Sequence, residues 1–162
     1  MISEKVQDAL NQQIKNELYS SYLYLAMSAH FESASLPGFA HWMQVQSGEE
    51  YKHAMKFYGY IVERGGRVVL EAIEKPPTEY KTPLDVMERV LEHEKKVTGM
   101  IHSLYELAVK EKDYPAQVML HWFITEQVEE EKSASDIIDL LKNVGDSTAG
   151  LVMVDHQLAG RK

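Results

Sequence analysis

Polar residues that can ligate metals occur in the sequence at a repeated spacing. Glu50 and His53 lie three positions apart, and so do Gln127 and Glu130. Residues at this spacing share one face of an α-helix, so each pair could direct two ligands to the same point. A single glutamate precedes each pair, and the candidate metal ligands are therefore Glu17, Glu50, His53, Glu94, Gln127 and Glu130.

These six residues recur with a constant offset. Each of the first three has a counterpart 77 positions later among the last three, in the same order. The two halves of the chain thus each supply one lone glutamate and one pair of ligands. This is the pattern of di-iron carboxylate bundles, a Glu plus Glu-x-x-His, with the second pair changed to Gln-x-x-Glu.

The four carboxylates of this set fall on the inward faces of apolar helices, where the sequence provides no lysine or arginine partner. A buried carboxylate without a partner costs several kcal/mol or takes up a proton. Two divalent cations would balance the four negative charges, and the imidazole of His53 would complete a set of oxygen and nitrogen ligands. Such a set suits iron or manganese and is tolerable for zinc. The alternative is a structural polar layer, formed by buried salt bridges or by a solvated helix face.

The composition limits the remaining choices. The chain has 162 residues, of which 44% are hydrophobic and 26% are charged, and this fits one globular domain over residues 1–162. It contains no cysteine, which excludes disulfides, thiolate zinc sites and iron–sulfur clusters. The formal net charge of −8 opposes binding to nucleic acid. The first residues resemble neither a signal peptide nor a membrane span, so we expect no membrane partner and a cytoplasmic location.

A helical period dominates the hydrophobic pattern, and proline and glycine mark its interruptions. We predict helices over about residues 3–32, 38–64, 83–111 and 115–143, and a short C-terminal helix over about 147–158. Four helices of these lengths predict an all-α four-helix bundle. The fifth is too short to be stable alone and needs a surface to pack on.

The connection between the second and third predicted helices is longer than the others. It runs from Gly65 to Thr82, which is 18 residues, and could span about 60 Å when extended. A helix of about 28 residues is only about 42 Å long. The connection can therefore cross the whole bundle and set these two helices parallel. The short joins instead make each helical hairpin antiparallel.

Two segments, Glu50-Tyr51-Lys52-His53 and Glu126-Gln127-Val128-Glu129-Glu130, combine with Glu17 and Glu94 in a specific arrangement. In this combination the chain resembles the bacterial non-haem ferritins, over essentially its whole length. The resemblance implies a ferritin-like bundle with one long crossover. It also implies an iron-storage subunit with ferroxidase activity, which oxidises Fe(II) to Fe(III) and deposits ferric oxyhydroxide inside a homo-oligomeric shell of 24 subunits.

The resemblance also assigns roles to residues at the centre. Gln127 is placed beside the second iron, as a hydrogen-bonding support or a weak ligand. Glu50 is implied to bridge the two irons. The ligands implied for the two irons of each subunit are Glu17, Glu50 and His53 for the first, and Glu50, Glu94 and Glu130 for the second.

Further residues match positions near the iron centre of these ferritins. Glu49, Glu126 and Glu129 match a third iron site next to the pair, although a run of acids in a helix is more often a solvated face. Tyr24 lies two helical turns from Glu17 and is a candidate catalytic residue on the strength of the likeness. Without the resemblance, a tyrosine at this position indicates ordinary core packing.

The oxidant implied is dioxygen or hydrogen peroxide, and we expect no haem. Tyr51 stands where bacterioferritins carry a haem-ligating methionine. Other functions on the same bundle remain open. One is a peroxide-reducing di-iron protein of the rubrerythrin kind, which the lack of cysteine disfavours, or a manganese-dependent oxidase. The other is a helical structural module without metal chemistry, which would be indifferent to Fe(II).

Overall fold

The computed structural model describes residues 1–162 as five α-helices without β-strands. The predicted all-α fold is therefore confirmed, and the helix bounds differ from the predicted ones by one residue at most. None of the helices has both the length and the apolar character that crossing a membrane requires. The helices are α1 (Glu4–Ser33), α2 (Pro37–Glu63), α3 (Pro83–Lys110), α4 (Tyr114–Val144) and α5 (Thr148–Leu158).

Polar caps fix where most of these helices begin. The side chains of Ser3, Thr82, Asp113 and Ser147 each accept a hydrogen bond from a backbone N–H in the first turn of the helix that follows. Such a bond satisfies one of the N–H groups that a helix start leaves without a partner. The α2 helix has no side-chain cap and begins at Pro37 instead, where the missing N–H costs nothing.

The long helices form two antiparallel hairpins, α1 with α2 and α3 with α4. In the first hairpin, the Ser21 hydroxyl donates to the backbone carbonyl of Ser47 at 2.8 Å. Arg64, which ends α2, forms an ion pair with Asp113 in the α3–α4 turn, with 2.9 Å between Nη1 and Oδ1. The ends of α2 and α3 therefore lie at the same end of the bundle, so these helices run parallel as predicted.

The crossover between α2 and α3 follows α1 for most of its length. The amide of Asn11 donates to the carbonyl of Arg67 at 3.0 Å and accepts from the N–H of Val69 at 2.9 Å. Near the other end of α1, the rings of His30 and Tyr80 lie 5.2 Å apart between centroids. The crossover thus spans the bundle from one end to the other, and α1 supplies hydrogen bonds that it cannot make within itself.

The core consists of two apolar clusters, one toward each end of the bundle. Phe31 and Phe39 stack in one cluster at 4.9 Å, and Phe57 and Phe123 stack in the other at 4.0 Å. All four long helices contribute to both clusters. The candidate ligands occupy the sequence positions between the clusters on every helix, so they form a polar layer across the middle of the bundle.

The short α5 helix packs against the start of α2 and the end of α4. Its Val154 and Leu158 are buried in the nearer apolar cluster. The carboxylate of Asp155 accepts a hydrogen bond from the backbone N–H of Phe39 at 2.9 Å. The backbones approach so closely that a Cβ added at Gly38 would overlap the carbonyl of Asp155. The surface that the short helix needs is thus provided by its own chain.

Candidate metal centre

The polar layer brings together side chains from all four long helices. Each of the six predicted ligands is between 1 and 6% exposed, although five of them are ionisable. The α1 and α3 helices supply one glutamate each, and the α2 and α4 helices supply one pair each. These residues are Glu17, Glu50, His53, Glu94, Gln127 and Glu130.

The ionisable members form two overlapping clusters. In one, Glu17, Glu50 and His53 place a ligand atom each within 4.8 Å of one another. In the other, Glu50, Glu94 and Glu130 do the same. Because Glu50 belongs to both clusters, the geometry provides two adjacent cation positions with one shared carboxylate between them.

One oxygen of Glu17 lacks any hydrogen-bond donor. Its Oε1 accepts from the amide of Gln13 at 3.0 Å, whereas its Oε2 is buried and has no hydrogen-bond partner. Nδ1 of His53 lies 3.9 Å from Oε2, which is too long for a hydrogen bond. A buried carboxylate oxygen without a donor is costly, and a cation bound there would remove that cost.

A glutamine links the two halves of the centre. The amide nitrogen of Gln46 donates to Oε1 of Glu50 at 3.1 Å and to Oε2 of Glu130 at 2.6 Å. The other oxygen of Glu50 lies 3.3 Å from Nδ1 of His53. The carboxylates from α2 and α4 are therefore held at fixed positions by a neutral donor.

Glu94 is held by two residues of the predicted set. The hydroxyl of Tyr24 donates to Oε1 of Glu94, and the amide nitrogen of Gln127 donates to Oε2 at 3.1 Å. The same Gln127 nitrogen also lies 3.1 Å from the backbone carbonyl of Glu94. Gln127 thus directs its donor end at Glu94, which is the geometry of a hydrogen-bonding support.

The electrostatics of the layer favour cations. Burial is the main cause that raises the pKa of Glu17 and of Glu50 well above 4.5, and a neighbouring glutamate raises each further. Burial, and then the charge of Glu94, raise the pKa of Glu130 to about 8. Burial also raises the pKa of Glu94. None of the predicted ligands forms an ion pair with lysine or arginine. Cations that bind here replace protons as the source of positive charge.

The residues predicted for a third site lie in unlike environments. Glu126 is half-buried, with its carboxylate 3.8 Å from Nε2 of His53, and it can share a cation with His53 and Glu130. Burial raises the pKa of Glu126. The carboxylate of Glu49 instead accepts a hydrogen bond from Arg161 at 2.8 Å, and Glu129 is exposed. The structure therefore brings Glu126 to the centre, whereas the carboxylate of Glu49 is already hydrogen-bonded to Arg161.

Three supporting residues did not emerge from the sequence as part of the site. Gln13 and Gln46 each lie four positions before a ligand, Glu17 and Glu50 respectively, and hydrogen-bond to it within the helix. This spacing was visible in the sequence and could have identified both. Arg161 lies beyond the last helix and reaches Gln46 at 2.9 Å, a contact for which the sequence carries no signal.

Comparisons with known proteins agree on one family. The model of the ferritin family, which describes a ferritin-like domain, matches residues 7–144 of the chain. A bacterial non-heme ferritin of Bacteroides fragilis is 47% identical over 161 residues, which is 99% of this chain and all of that protein. A probable bacterial non-heme ferritin-like protein of Haemophilus influenzae is 42% identical over 98% of this chain and 96% of its own length. An open pore ferritin of the archaeon Archaeoglobus fulgidus has a TM-score of 0.99 and 49% identity, with both chains covered completely.

Proposed function

Since the chain belongs to the ferritin family, we propose that it is the subunit of an iron-storage shell that oxidises Fe(II) at its polar layer. Dioxygen is the proposed electron acceptor, and ferric oxyhydroxide deposited inside the shell is the proposed product. The observation that carries the proposal is the pair of overlapping ligand clusters buried in the bundle, with one carboxylate oxygen that lacks a donor.

In this proposal two Fe(II) ions bind as substrates at adjacent positions. Glu17 and His53 hold the first, Glu94 and Glu130 hold the second, and Glu50 contacts both. Oxidation releases one electron from each iron, and one dioxygen molecule accepts the two electrons with two protons to form hydrogen peroxide. The clusters support this arrangement because they supply oxygen and nitrogen donors, which suit iron.

Neutral side chains hold the carboxylate ligands in position without cancelling their negative charge. Gln46 and Gln127 donate to the carboxylates without adding a positive charge, so the attraction for cations is kept. Tyr24 fixes one oxygen of Glu94 through its hydroxyl, and burial raises the pKa of that hydroxyl well above 10. We assign Tyr24 the role of orienting Glu94 toward the second iron.

We further propose that Glu126 belongs to a third iron position with Glu49 and Glu129. The approach of Glu126 to His53 supports its membership. Burial is the main cause that raises the pKa of Glu126, and the charges of Glu129 and Glu49 raise it further, which indicates that the three acids lie near one another. This position is more exposed than the first two, so iron can be exchanged there more easily with the solvent.

A homo-oligomeric shell of 24 subunits completes the proposal. Large apolar side chains remain exposed on α1 and the crossover, among them Tyr22, Leu25 and Leu70. Contiguous exposed apolar surface on a globular protein marks an interaction site. A second copy of the chain is the partner that the family membership suggests, and electron microscopy of the purified protein would show the shell and its subunit number.

The decisive experiment is an aerobic Fe(II) titration of the native protein, followed by absorbance and size-exclusion chromatography. We expect ferric absorbance to grow far beyond two irons per chain and to elute with the shell. A Glu17→Ala, His53→Ala double variant removes two ligands of the first position and should lose rapid oxidation. The matched control is His102→Ala with Glu106→Ala, an exposed pair on α3, and it should behave as the wild type.

Each competing function gives a distinct result. Equal oxidation and loading by the ligand double variant and the wild type would reject the metal centre. Saturation at two irons per chain would favour a peroxide-reducing di-iron protein. Indifference to Fe(II), with elution as a monomer or dimer, would favour a structural module.

A further inference from the structure

The C-terminal segment reaches back from α5 to the edge of the metal centre through Arg161. The guanidinium of Arg161 lies over the ring of Trp42, 4.3 Å from its centroid, and donates to the backbone carbonyl of Trp42 at 3.2 Å. It also donates to Oε1 of Gln46 at 2.9 Å and to Oε2 of Glu49 at 2.8 Å. These three acceptors and the ring all lie on α2, so a single side chain of the tail contacts about two turns of the helix.

The position of Arg161 is supported by its own backbone. Nε2 of His41 lies 2.6 Å from the carbonyl oxygen of Arg161, where a ring N–H donates. The side chain of Arg161 is only 20% exposed. A guanidinium presents several donors in one plane, and here they are matched to a carbonyl, an amide oxygen and a carboxylate.

Arg161 determines which way the amide of Gln46 points. A glutamine side chain has one acceptor end and one donor end. Because Arg161 donates to the acceptor end, the donor end faces Glu50 and Glu130 inside the polar layer. The tail thereby helps to fix the orientation of two predicted iron ligands that it does not touch.

Arg161 also supplies the positive charge next to Glu49. No other lysine or arginine pairs with Glu49, Glu126 or Glu129. Glu126 can share a cation with His53 and Glu130 alone, but a cation that also used Glu49 would need the carboxylate oxygen that Arg161 now holds. The guanidinium and the cation therefore compete for the same oxygen.

We propose that Arg161 is a positioning residue that keeps Glu49 from the third cation position while it orients Gln46, so that a third cation gains Glu49 as a ligand only by displacing the guanidinium. This inference rests on the proposed function, because it assumes that the polar layer binds cations. Through this contact, the docking of the C-terminal segment helps to determine the affinity for the third cation. The first two positions are therefore filled before the third.

The test is calorimetric titration of the intact metal-free protein with zinc chloride, since Zn(II) binds oxygen and nitrogen donors without redox chemistry. We expect two tight sites and one weaker site per chain in the wild type. Arg161→Gln should tighten the third site on the order of fivefold, the size expected when a partly buried ion pair no longer competes. Arg161→Lys keeps the charge but cannot contact all three acceptors. Its affinity for the third zinc ion should therefore lie between those of the wild type and Arg161→Gln. The matched control is Lys162→Gln, which removes one exposed charge from the same segment and should change nothing.

A further variant locates the effect. Adding Glu126→Gln to Arg161→Gln should abolish the tightened third site, because Glu126 belongs to that position. The proposal is overturned if Arg161→Gln binds the third zinc as the wild type does, or if neither protein binds a third zinc. Absence of the two tight sites from the wild type would instead overturn the proposed function. If Arg161→Gln does not assemble, the comparison of Arg161→Lys with the wild type decides, and equal third affinities overturn the proposal.

Discussion

Replacing Glu130 by glutamine should stabilise the metal-free protein and weaken its binding of cations. Glu130 is 6% exposed, and glutamine has nearly the same shape and keeps an oxygen that can accept from Gln46. The substitution removes the negative charge that burial makes costly. The variant would thus lose a ligand of the proposed second iron position, and its metal-free fold would be more stable.

The size of the effect follows from the pKa of Glu130, which rises from 4.5 to about 8 in the folded chain. Between these two values the folded state binds more protons than the unfolded state, so the free energy of unfolding falls as the pH rises. At about 1.4 kcal/mol per pH unit, the cost reaches about 5 kcal/mol per chain above pH 8. It is absent below pH 4.5, where the carboxyl is protonated in both states. Glutamine does not ionise, so this free-energy cost is absent from the variant at any pH.

The assay is guanidinium chloride denaturation of wild type and Glu130→Gln in chelator, at matched protein concentration, at pH 5 and pH 8.5. The variant should gain under about 1 kcal/mol at pH 5 and about 5 kcal/mol at pH 8.5, which moves the midpoint upward by about 1 M. Zn(II) at saturating concentration should stabilise the wild type by about 3 kcal/mol or more and the variant by less. Glu106→Gln on the exposed face of α3 is the control. An unchanged or lower midpoint of the metal-free variant at pH 8.5 would refute the account of buried charge.

Three further substitutions test other parts of the molecule. Tyr24→Phe removes the donor to Glu94 and should slow the initial rate of Fe(II) oxidation on the order of tenfold, measured by stopped-flow absorbance; an unchanged rate would contradict the orienting role. Gly38→Ala should displace α5 and lower stability by about 1 to 3 kcal/mol, with impaired assembly in chromatography, whereas Gly48→Ala, where a Cβ meets nothing, should be neutral or stabilising. Asp113→Ala removes a helix cap and an ion pair and should cost about 2 kcal/mol at pH 7. Burial acts to raise the pKa of Asp113, but hydrogen bonds from an arginine and from the helix start outweigh it and lower the pKa, so this cost should vanish as the pH falls through that pKa.

The burial of the candidate ligands in one layer could be predicted because two regularities of the sequence coincide. Glu50 and His53 lie on the same helical face as the apolar residues around them, so burial of that face buries them as well. The constant offset then relates them to their counterparts in the second hairpin, and Glu17 joins them in one cluster. Local periodicity is sufficient here because each ligand lies in the interior of a long helix, where a residue's direction is fixed by its position.

The surroundings of the layer could not be predicted in the same way. Arg161 reaches Glu49 only because α5 packs across the start of α2, and no periodic pattern extends to a residue after the last helix. The unequal environments of Glu126 and Glu129 likewise depend on how α4 is rotated against α2 at its surface. These contacts are set by tertiary packing of side chains that are not part of the repeated pattern.

The division of the core into two apolar clusters has a consequence for the molecule without bound ions. In most proteins the chain termini and mobile loops open at the lowest free energy, and the core helices open last. Here the ends are closed by stacked phenylalanines, whereas the mid-section contains buried acids whose charged forms are disfavoured by burial and repel one another. We therefore expect the ion-free subunit to open more readily at mid-bundle than at its two apolar clusters, so that hydrogen exchange is faster in the amides around Glu50 and Glu94 than in those around the stacked phenylalanines. If the layer binds iron as proposed, the bound ions would join the two halves of the bundle, and we expect the rigidity of the subunit to increase as it is loaded.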